Sequence, residues 1–408
     1  MAAVWHEIRS GAWLTQSRLR GYSAILIAAY VIAAGLWVVQ AQGWVDRNNK
    51  PLGTDFSNVY AAGTLALAGK PAAAYDWPTE YAAEQATFDG KNVPFYGWHY
   101  PPLFLMAAAA LALLPYGVAL ATWMTITLIP YIFAMRAIVR RTITPLVALA
   151  YPAVFVNLGH GQNGFVSAAL LGGALLLLDK RPVVSGIFFG LLAYKPQFGI
   201  LIPLALLVSG RWSVIASAAA TVIATCCATL ALFGTSVWTA FLASTALTRS
   251  IVLEQGSTGW EKIQSMFAAV RMWGGGIDLA YAAQGCLVLG VAACLIWLWR
   301  SDAASALKAA ALATAALIAT PYVLDYDLMI LAVAIAFYVR HGLARGFHDF
   351  EISLLAFVWI APLLARVVAG STGIPLGLLA QAALLTMILN RARQEISTAY
   401  ERTRLAQA

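Results

Sequence analysis

The sequence predicts an all-α, polytopic integral membrane protein, and its composition is the first reason. Of its 408 residues, 61% are hydrophobic and only 11% are charged, with a mean hydropathy of +0.75. These values lie outside the range of soluble domains. The second reason is that basic residues occur in pairs between apolar runs, as at Arg140/Arg141 and Lys180/Arg181. This pattern is typical of cytoplasmic loops, so the net charge of +8 indicates a lipid bilayer as partner and no nucleic acid.

The apolar runs divide residues 1–408, a single domain, into about 12 transmembrane or re-entrant segments. The first run, at about 22–42, follows Arg9, Arg18 and Arg20 and is long enough to span, which predicts an uncleaved signal-anchor helix. The other apolar stretches are at about 101–115, 117–139, 142–158, 164–178, 183–194, 198–209, 213–233, 277–299, 305–320, 328–339, 351–369 and 375–390.

Three polar segments complete the chain: a first loop at 43–100, a second loop at 234–276 and a basic tail at 391–408. Some apolar stretches are short for a hydrocarbon core of about 30 Å. Residues 183–209 therefore form either two segments or one helix broken near Pro196, and 101–115 is either re-entrant or surface-lying. If the basic pairs and the tail are cytoplasmic, both loops are extracytoplasmic.

The same assignment brings four polar motifs to the extracytoplasmic face. They are Asp55 in the first loop and the hairpin tips GHGQNG (159–164), YKPQ (194–197) and TPYVLDYD (320–327). Asp55 is either a loop carboxylate that caps the next helix or a general base held at the membrane interface. The sequence alone does not separate these two interpretations.

The other motifs also have two interpretations each. GHGQNG breaks a helix at membrane depth, which indicates either a packing turn or the lining of a site. Lys195 lies in an apolar run, where an ammonium costs about 2.5–3.5 kcal/mol unless it snorkels or pairs with an anion. That anion is a lipid phosphate, Asp325 or Asp327. The two aspartates themselves suit a proton relay, a cation site or helix caps.

The sequence offers no pattern for a bound cofactor. There is no His and Cys spacing of a metal site, and no P-loop or dinucleotide motif. The four cysteines lie inside apolar runs and form no disulfide framework. We therefore expect no metal ligands and no cofactor, and the use of a divalent ion is left open.

Five segments in order carry a resemblance that extends over nearly the whole chain. They are DFSNVYAAGTLALAGKPAAAYD, YPPLFLMAAAALALLPYGVA, NLGHGQNGF, GLLAYKPQFGILIP and TPYVLDYDLMIL. This series resembles glycosyltransferase family 87, whose members are mannosyltransferase-like membrane proteins of the GT-C fold. The resemblance implies a GT-C-like helical bundle and a polyprenyl-phosphate-linked sugar donor. It also implies an essential acid in the first extracytoplasmic loop, at the position of Asp55.

The resemblance also implies a reaction and a place for it. A hexose, expected to be mannose, moves with inversion to a hydroxyl of a glycolipid or glycan acceptor, outside the bacterial cytoplasmic (inner) membrane. Asp55 is the expected base, and a cation is expected to bind the departing phosphate. The alternative function is a transporter or flippase of a lipid-linked or small polar substrate. The phosphate-binding candidates are Lys195, then Arg249 and Arg271; the substrate-binding candidates are His99, Tyr100, His160, Gln162, Asn163, Gln197, Tyr322, Asp325 and Asp327.

Overall fold

The computed structural model describes the backbone of residues 2–407, and the side chains of these residues except 399 and 402–407. Within that range the chain is helical and forms no named strand, which confirms the predicted all-α class. The helices are α1 (Ala2–Ser10), α2 (Gln16–Gln40), α3 (Phe56–Leu67), α4 (Trp77–Thr87), α5 (Pro102–Leu111), α6 (Tyr116–Ile138), α7 (Thr144–Leu149), α8 (Pro152–His160), α9 (Gly164–Leu177), α10 (Pro182–Leu191), α11 (Ile202–Val208), α12 (Trp212–Phe233), α13 (Ser236–Thr248), α14 (Met266–Met272), α15 (Ile277–Arg300), α16 (Ser305–Ile318), α17 (Met329–Arg345), α18 (Glu351–Thr372) and α19 (Leu376–Gln407).

Seven helical segments in the described range are long and apolar enough to cross a membrane, and five shorter apolar helices accompany them. The seven are Gln16–Gln40, Tyr116–Ile138, Trp212–Phe233, Ser236–Glu254, Ile277–Arg300, Asp325–Arg345 and Glu351–Thr372. This set confirms a polytopic membrane protein. Three of the shorter helices, Pro102–Leu111, Pro182–Tyr194 and Pro196–Val208, lie in the stretches that the sequence predicts as short for a full crossing.

The centre of the bundle is formed by α16 and α17. From Ala309 to Ile318 every residue of α16 is buried, and so is every residue of α17 from Met329 to Tyr338. Many of these residues are alanine, and small side chains let membrane helices approach closely. This dense pair is the support on which the functional elements rest.

The first loop is more ordered than its polarity suggests. It contains α3, a 3₁₀ turn (Pro71–Tyr75) and α4. Asp76 caps the start of α4, since its side chain accepts a hydrogen bond from the Thr79 amide (3.2 Å). The chain then runs without regular structure to Pro101 and enters α5. The helix α5 is followed by the long α6, as expected for a short element before a crossing helix.

The break predicted near Pro196 is present. The helix α10 ends at Leu191, two short 3₁₀ turns follow (Leu192–Tyr194 and Pro196–Gly199), and α11 begins at Ile202. Lys195 stands between the two turns. The segment is therefore two short helices joined by an irregular connection.

The predicted second loop begins with helical structure. The helix α13 continues into a turn of π-helix (Arg249–Glu254), and then into an irregular segment and α14. Phe241 of α13 packs edge-to-face on Tyr75 of the first loop, with ring centroids 5.7 Å apart. The two loops are thus in contact, whereas the boundary of the second loop and its side of the membrane stay predictions.

An ionic network closes the opposite end of the bundle. Glu395 accepts from His341 and Arg391 at 2.7 Å each, and Glu351 accepts from Arg391 (3.2 Å) and from the Tyr338 hydroxyl (2.6 Å). The residues of this network come from α17, α18 and α19. It ties the ends of these helices together, far from the loop that carries Asp55.

Candidate active site

Asp55 stands at the N-cap position of α3, but its carboxylate does not cap the helix. The side chain makes no hydrogen bond to the first turn. It is instead directed at the break between α8 and α9, where the Gln162 amide donates to Oδ2 (2.8 Å). Of the two interpretations of Asp55, the structural one as a helix cap is therefore not supported by its contacts.

The break at residues 161–163 forms because Gly161 ends α8 in the left-handed conformation, with φ 60° and ψ 26°. Asn157, fully buried, then satisfies the freed backbone. Its Nδ2 donates to the Gln162 carbonyl (2.9 Å), and its Oδ1 accepts from the Gly164 amide (2.7 Å). A broken helix at membrane depth needs such partners. Asn157 was not among the predicted residues, although a polar residue inside an apolar helix is a signal of the same kind as Lys195.

The orientation of Gln162 is fixed by its oxygen. Oε1 accepts from the Tyr100 hydroxyl (3.0 Å) and from the Asn163 amide (3.2 Å). Because both of these groups are donors, the NH₂ end of Gln162 must face Asp55. The hydrogen bonds thus form a chain from Tyr100 through Gln162 to the carboxylate.

His160 lies on the other side of Asp55. Its Nδ1 is 2.8 Å from Thr54 Oγ1 and 3.7 Å from Asp55 Oδ1. Burial acts to lower the pKa of His160, but the neighbouring carboxylates of Asp55 and Asp325 outweigh it and raise the pKa above its ordinary value. At a given pH, His160 therefore carries more positive charge next to Asp55 than an exposed histidine would.

The environment keeps Asp55 ionised. Its side chain is only 18% exposed, and burial alone acts to raise its pKa. His160, the Gln162 amide and the charge of Lys262 act in the opposite direction and bring the pKa of Asp55 below its ordinary value. The site thus holds a mostly desolvated carboxylate that is nevertheless negatively charged.

His99 joins the two loops beside this carboxylate. Its Nδ1 is 3.1 Å from Thr248 Oγ1 of α13, and its ring packs on Trp77 of α4 with centroids 5.8 Å apart. Burial lowers the pKa of His99 to about 4, so the imidazole is neutral near pH 7. A neutral imidazole offers a hydrogen bond and no charge.

Lys195 is bound to one of the acids that the sequence offered as partners. Its Nζ lies 2.6 Å from Asp327 Oδ1, with exposures of 4% and 1% for the two side chains. The rings of Tyr326 and Phe198 flank the ammonium at 5.1 and 5.6 Å. Asp325 is not part of this pair; its Oδ1 accepts from the Tyr326 amide (2.9 Å).

The remaining predicted residues are distributed around this centre. The Asn163 carbonyl accepts from the Tyr194 hydroxyl (3.2 Å), while Gln197 is partly exposed at the turn after Lys195. Tyr322 packs in a small apolar cluster with Tyr326, below the second loop. Each of them borders a helix break, but none contacts Asp55 in the described hydrogen bonds.

The two predicted arginines of the second loop already have partners. Arg249 is 64% exposed, and its Nε lies 3.3 Å from Glu254 Oε1. Arg271 donates to the Gly275 and Glu254 carbonyls (2.7 and 3.2 Å) and stacks over Trp260 at 4.8 Å. The structure does not bring these two cations to Asp55, and their role in phosphate binding stays a prediction.

Two other cations lie closer to the acidic centre. Lys262 and Arg366 act on each other electrostatically, and the charges of Asp55 and Asp325 also act on Lys262. Among the side chains that the structure describes, neither cation has a carboxylate within 4 Å. Burial and the Arg366 charge lower the pKa of Lys262. Arg366 interrupts an apolar helix, a sequence signal of the kind that drew attention to Lys195.

The comparisons with known proteins assign the family. The sequence model of glycosyltransferase family 87 matches residues 98–321, more than half of the chain. The chain belongs to glycosyltransferase family 87. No match was found among curated proteins or among solved structures. The predicted family and the predicted enzyme class, a glycosyltransferase, are thereby confirmed.

The match covers most, but not all, of the site of this glycosyltransferase. The predicted site residues from His99 to Arg271 lie inside the matched segment. Asp55 precedes the segment, and Tyr322, Asp325 and Asp327 follow it, Tyr322 being the next residue after its end. The family assignment therefore does not depend on Asp55. Its role rests on its contacts with Gln162 and His160.

Protein donors for a metal are few in this glycosyltransferase. In the described part of the chain, no group of three or more His, Cys, Asp or Glu side chains is arranged to hold an ion. Asp55 has Thr54, not a second acid, beside it. Whether the reaction uses a divalent ion stays open.

Proposed function

We propose that this family 87 glycosyltransferase moves a hexose, mannose being the first candidate, from a polyprenyl-phosphate carrier to a hydroxyl of a glycolipid or glycan acceptor. The observation that carries the proposal is Asp55: a mostly buried carboxylate, kept ionised and oriented by a glutamine and a histidine from a helix break. A positioned carboxylate that is ionised at neutral pH can accept the proton of an acceptor hydroxyl.

The chemistry proposed for this site is a single displacement. The acceptor oxygen forms a bond to the anomeric carbon while the bond from that carbon to the phosphate oxygen breaks, so the configuration inverts. The acceptor proton passes to Asp55, and the electron pair leaves on the polyprenyl phosphate. The neutral donors of the site, Tyr100 and His99 among them, suit the hydroxyl groups of a sugar.

The departing phosphate gains charge and needs a cation. We favour Lys262, assisted by Arg366, because both lack a carboxylate partner within 4 Å in the described structure and Lys262 is electrostatically coupled to Asp55. Lys195, the first candidate from the sequence, is already neutralised by Asp327, and Arg249 is paired with Glu254.

We place the site on the extracytoplasmic face of the bacterial inner membrane. The helices α9 and α17 both start at the site and run away from it. Their far ends carry Lys180/Arg181 and Arg340/Arg345. Short loops rich in basic residues favour the cytoplasm, so the end with Asp55 is expected to face outward.

The test is release of free polyprenyl phosphate by the purified protein, supplied with polyprenyl-phosphate mannose, glucose or arabinose and a membrane-lipid acceptor fraction. We expect release with one sugar, abolished in Asp55→Asn and retained in Asp89→Asn. Asp89 is an exposed residue of the same loop with φ 57°, a conformation that asparagine tolerates. Full turnover by Asp55→Asn would remove the base assignment.

The alternative, a transporter or flippase, predicts a different result. A folded protein that releases no phosphate from any donor, but moves a lipid-linked or polar substrate in proteoliposomes, would favour it. For the phosphate site, Lys262→Gln is expected to raise the donor KM and to lower kcat, so that kcat/KM falls about tenfold or more, as expected for one lost charge-assisted contact. Arg249→Gln tests the alternative predicted from the sequence. A larger increase in donor KM in this variant than in Lys262→Gln would favour Arg249 as the phosphate-binding residue.

A further inference from the structure

The ion pair between Lys195 and Asp327 is the most deeply buried pair of opposite charges at the site end of the bundle, and the proposed reaction does not use it. Lys195 comes from the connection between α10 and α11, and Asp327 from the 3₁₀ turn Asp325–Leu328 before α17. A buried pair of this kind gives little net stability, but breaking it by removing one partner is costly. Stability alone therefore does not account for this pair.

Asp327 closes the turn that it belongs to. Its Oδ1 accepts from Lys195 (2.6 Å), and its Oδ2 accepts from the Leu324 amide (3.0 Å). The Asp327 amide in return donates to the Leu324 carbonyl (2.9 Å). Lys195 thus holds the carboxylate that fixes the conformation of residues 324–327.

That turn is attached to both halves of the site. Towards the base, the Tyr326 ring packs 5.9 Å from the His160 ring, and the Tyr326 carbonyl lies so close to Gly164 that a Cβ there would be only 2.7 Å away. The turn therefore contacts the α8–α9 break that orients Asp55. A shift of residues 324–327 would be transmitted directly to His160.

Towards the proposed phosphate site, the turn is paired with the second loop. Leu324 forms an antiparallel bridge with Ile263, and the Gln264 amide donates to the Val323 carbonyl (2.7 Å). Ile263 directly follows Lys262. The position of Lys262 relative to Asp55 is thus set through Leu324.

We propose that Lys195 and Asp327 form a positioning pair, which fixes the 324–327 turn and so sets Lys262 and His160 relative to Asp55, without touching the donor phosphate. The enclosure of the Lys195 ammonium by Asp327, Tyr326 and Phe198 supports this role. The kinetic part of the proposal rests on the proposed glycosyl transfer.

The kinetic test compares Lys195→Met, Asp327→Asn and the double variant, after wild-type release of polyprenyl phosphate has been established. Per folded enzyme, each single variant is expected to lose about 30-fold or more in kcat. Donor KM is expected to rise because Lys262 shifts with the turn, and to return towards the wild-type value in the double variant. The double variant leaves no unpaired buried charge, so it is expected to recover a large part of kcat and of thermal stability.

Two results would overturn the proposal. One is a donor KM raised tenfold or more in Lys195→Met and equally in the double variant, which would show that the ammonium binds phosphate. The other is a lowered Tm with kcat and KM unchanged, which would show a merely structural pair. If Lys195→Met does not fold, Asp327→Asn is compared with the double variant by the same criteria.

A second readout needs no activity. The variant carries Ile263→Cys and Leu324→Cys, with the four native cysteines replaced by serine. These two cysteines are expected to form a disulfide on oxidation, because residues paired in an antiparallel β-bridge lie within disulfide distance. Cross-linking should fall in Lys195→Met and return in the double variant. Unchanged cross-linking in Lys195→Met would overturn the proposal, whereas wild-type inactivity towards every donor would count only against the proposed reaction.

Discussion

Gly161→Ala tests the helix break that holds Asp55, and the structure gives the size of its effect. Gly161 has φ 60°, and a Cβ built there would lie 2.6 Å from the Phe56 Cβ and 2.9 Å from the Gly53 carbonyl oxygen. Carbon atoms pack at about 3.5–4.0 Å. The α8–α9 break and the start of α3 must therefore separate by roughly 1 Å.

That separation acts directly on the base, because Gly53 and Phe56 flank Asp55. A misplacement of about 1 Å costs about 100-fold in rate, so we expect kcat to fall about 100-fold, equivalent to about 2.7 kcal/mol of transition-state stabilisation. Stability also falls: the left-handed conformation costs an alanine about 1–2 kcal/mol, and overpacking adds about 1–3 kcal/mol.

The assay is release of polyprenyl phosphate at saturating donor, together with thermal unfolding in detergent. Gly159→Ala is the matched control, two residues away in the same motif. Gly159 has no positive φ, and a Cβ placed there would have no atom within 4 Å. Because it stands in the helix α8, the alanine should leave kcat unchanged and raise stability slightly. A Gly161→Ala enzyme with kcat within threefold of wild type would refute the close contact between this break and the Asp55 loop.

Two further predictions concern pH. Glu84 is fully buried in α4, and burial raises its pKa to about 8. The folded state therefore keeps a proton that the unfolded chain loses above about pH 4.3. The free energy of unfolding should then fall as the pH rises from about 4.5 to about 8. Glu84→Gln should flatten this slope of Tm against pH, whereas the exposed Glu7→Gln should not; an unchanged slope would mean that Glu84 is ionised in the fold. His160→Gln removes a charge that lowers the pKa of Asp55, so the acidic side of the pH profile of kcat/KM should move to higher pH. An unchanged profile would show that His160 does not influence the ionisation of the base.

The helix breaks of this enzyme were readable from the sequence. GHGQNG and YKPQ combine glycine or proline with polar side chains inside apolar runs, and hydrocarbon tolerates such a combination only where protein or a cavity satisfies the backbone. Both breaks are present, at residues 161–163 and 192–201. The contact of Asp55 with Gln162 also follows the prediction that these motifs share one face.

A helix directly after Asp55 was predicted and is present as α3, whereas α4 in the same loop was not predicted, although a local signal existed. Asp76 followed by Trp77 and Pro78 is typical of a helix start, since aspartate caps well and proline suits the first turn. The structure has α4 starting there. The polar sequence of α4 predicts a solvent-exposed helix, because buried carboxylates are rare. The burial of Glu84 and of Glu80, one turn earlier, could therefore not be predicted from composition.

The partner of Lys195 illustrates what sequence cannot decide. The apolar run showed that its ammonium needs an anion, but a lipid phosphate, Asp325 and Asp327 were equally compatible with that need. The choice depends on which of two acids, two residues apart in one 3₁₀ turn, faces the α10–α11 connection. That is a property of tertiary packing, and the structure selects Asp327.

Lys262 and Arg366 mark the limit more clearly. Lys262 lies in a polar loop, where a lysine attracts no attention, and Arg366 is about a hundred residues away in α18. They approach each other only because the turn Trp260–Lys262 packs against α18, while the bridge from Ile263 to Leu324 holds that turn beside the acids. A cation that precedes a bridged residue cannot be recognised from local pattern. The phosphate site proposed for this glycosyltransferase is therefore assembled by the same turn that Lys195 and Asp327 close. Loss of Lys262 should raise donor KM permanently, whereas the effect of losing Lys195 on donor KM should be reversed by Asp327→Asn.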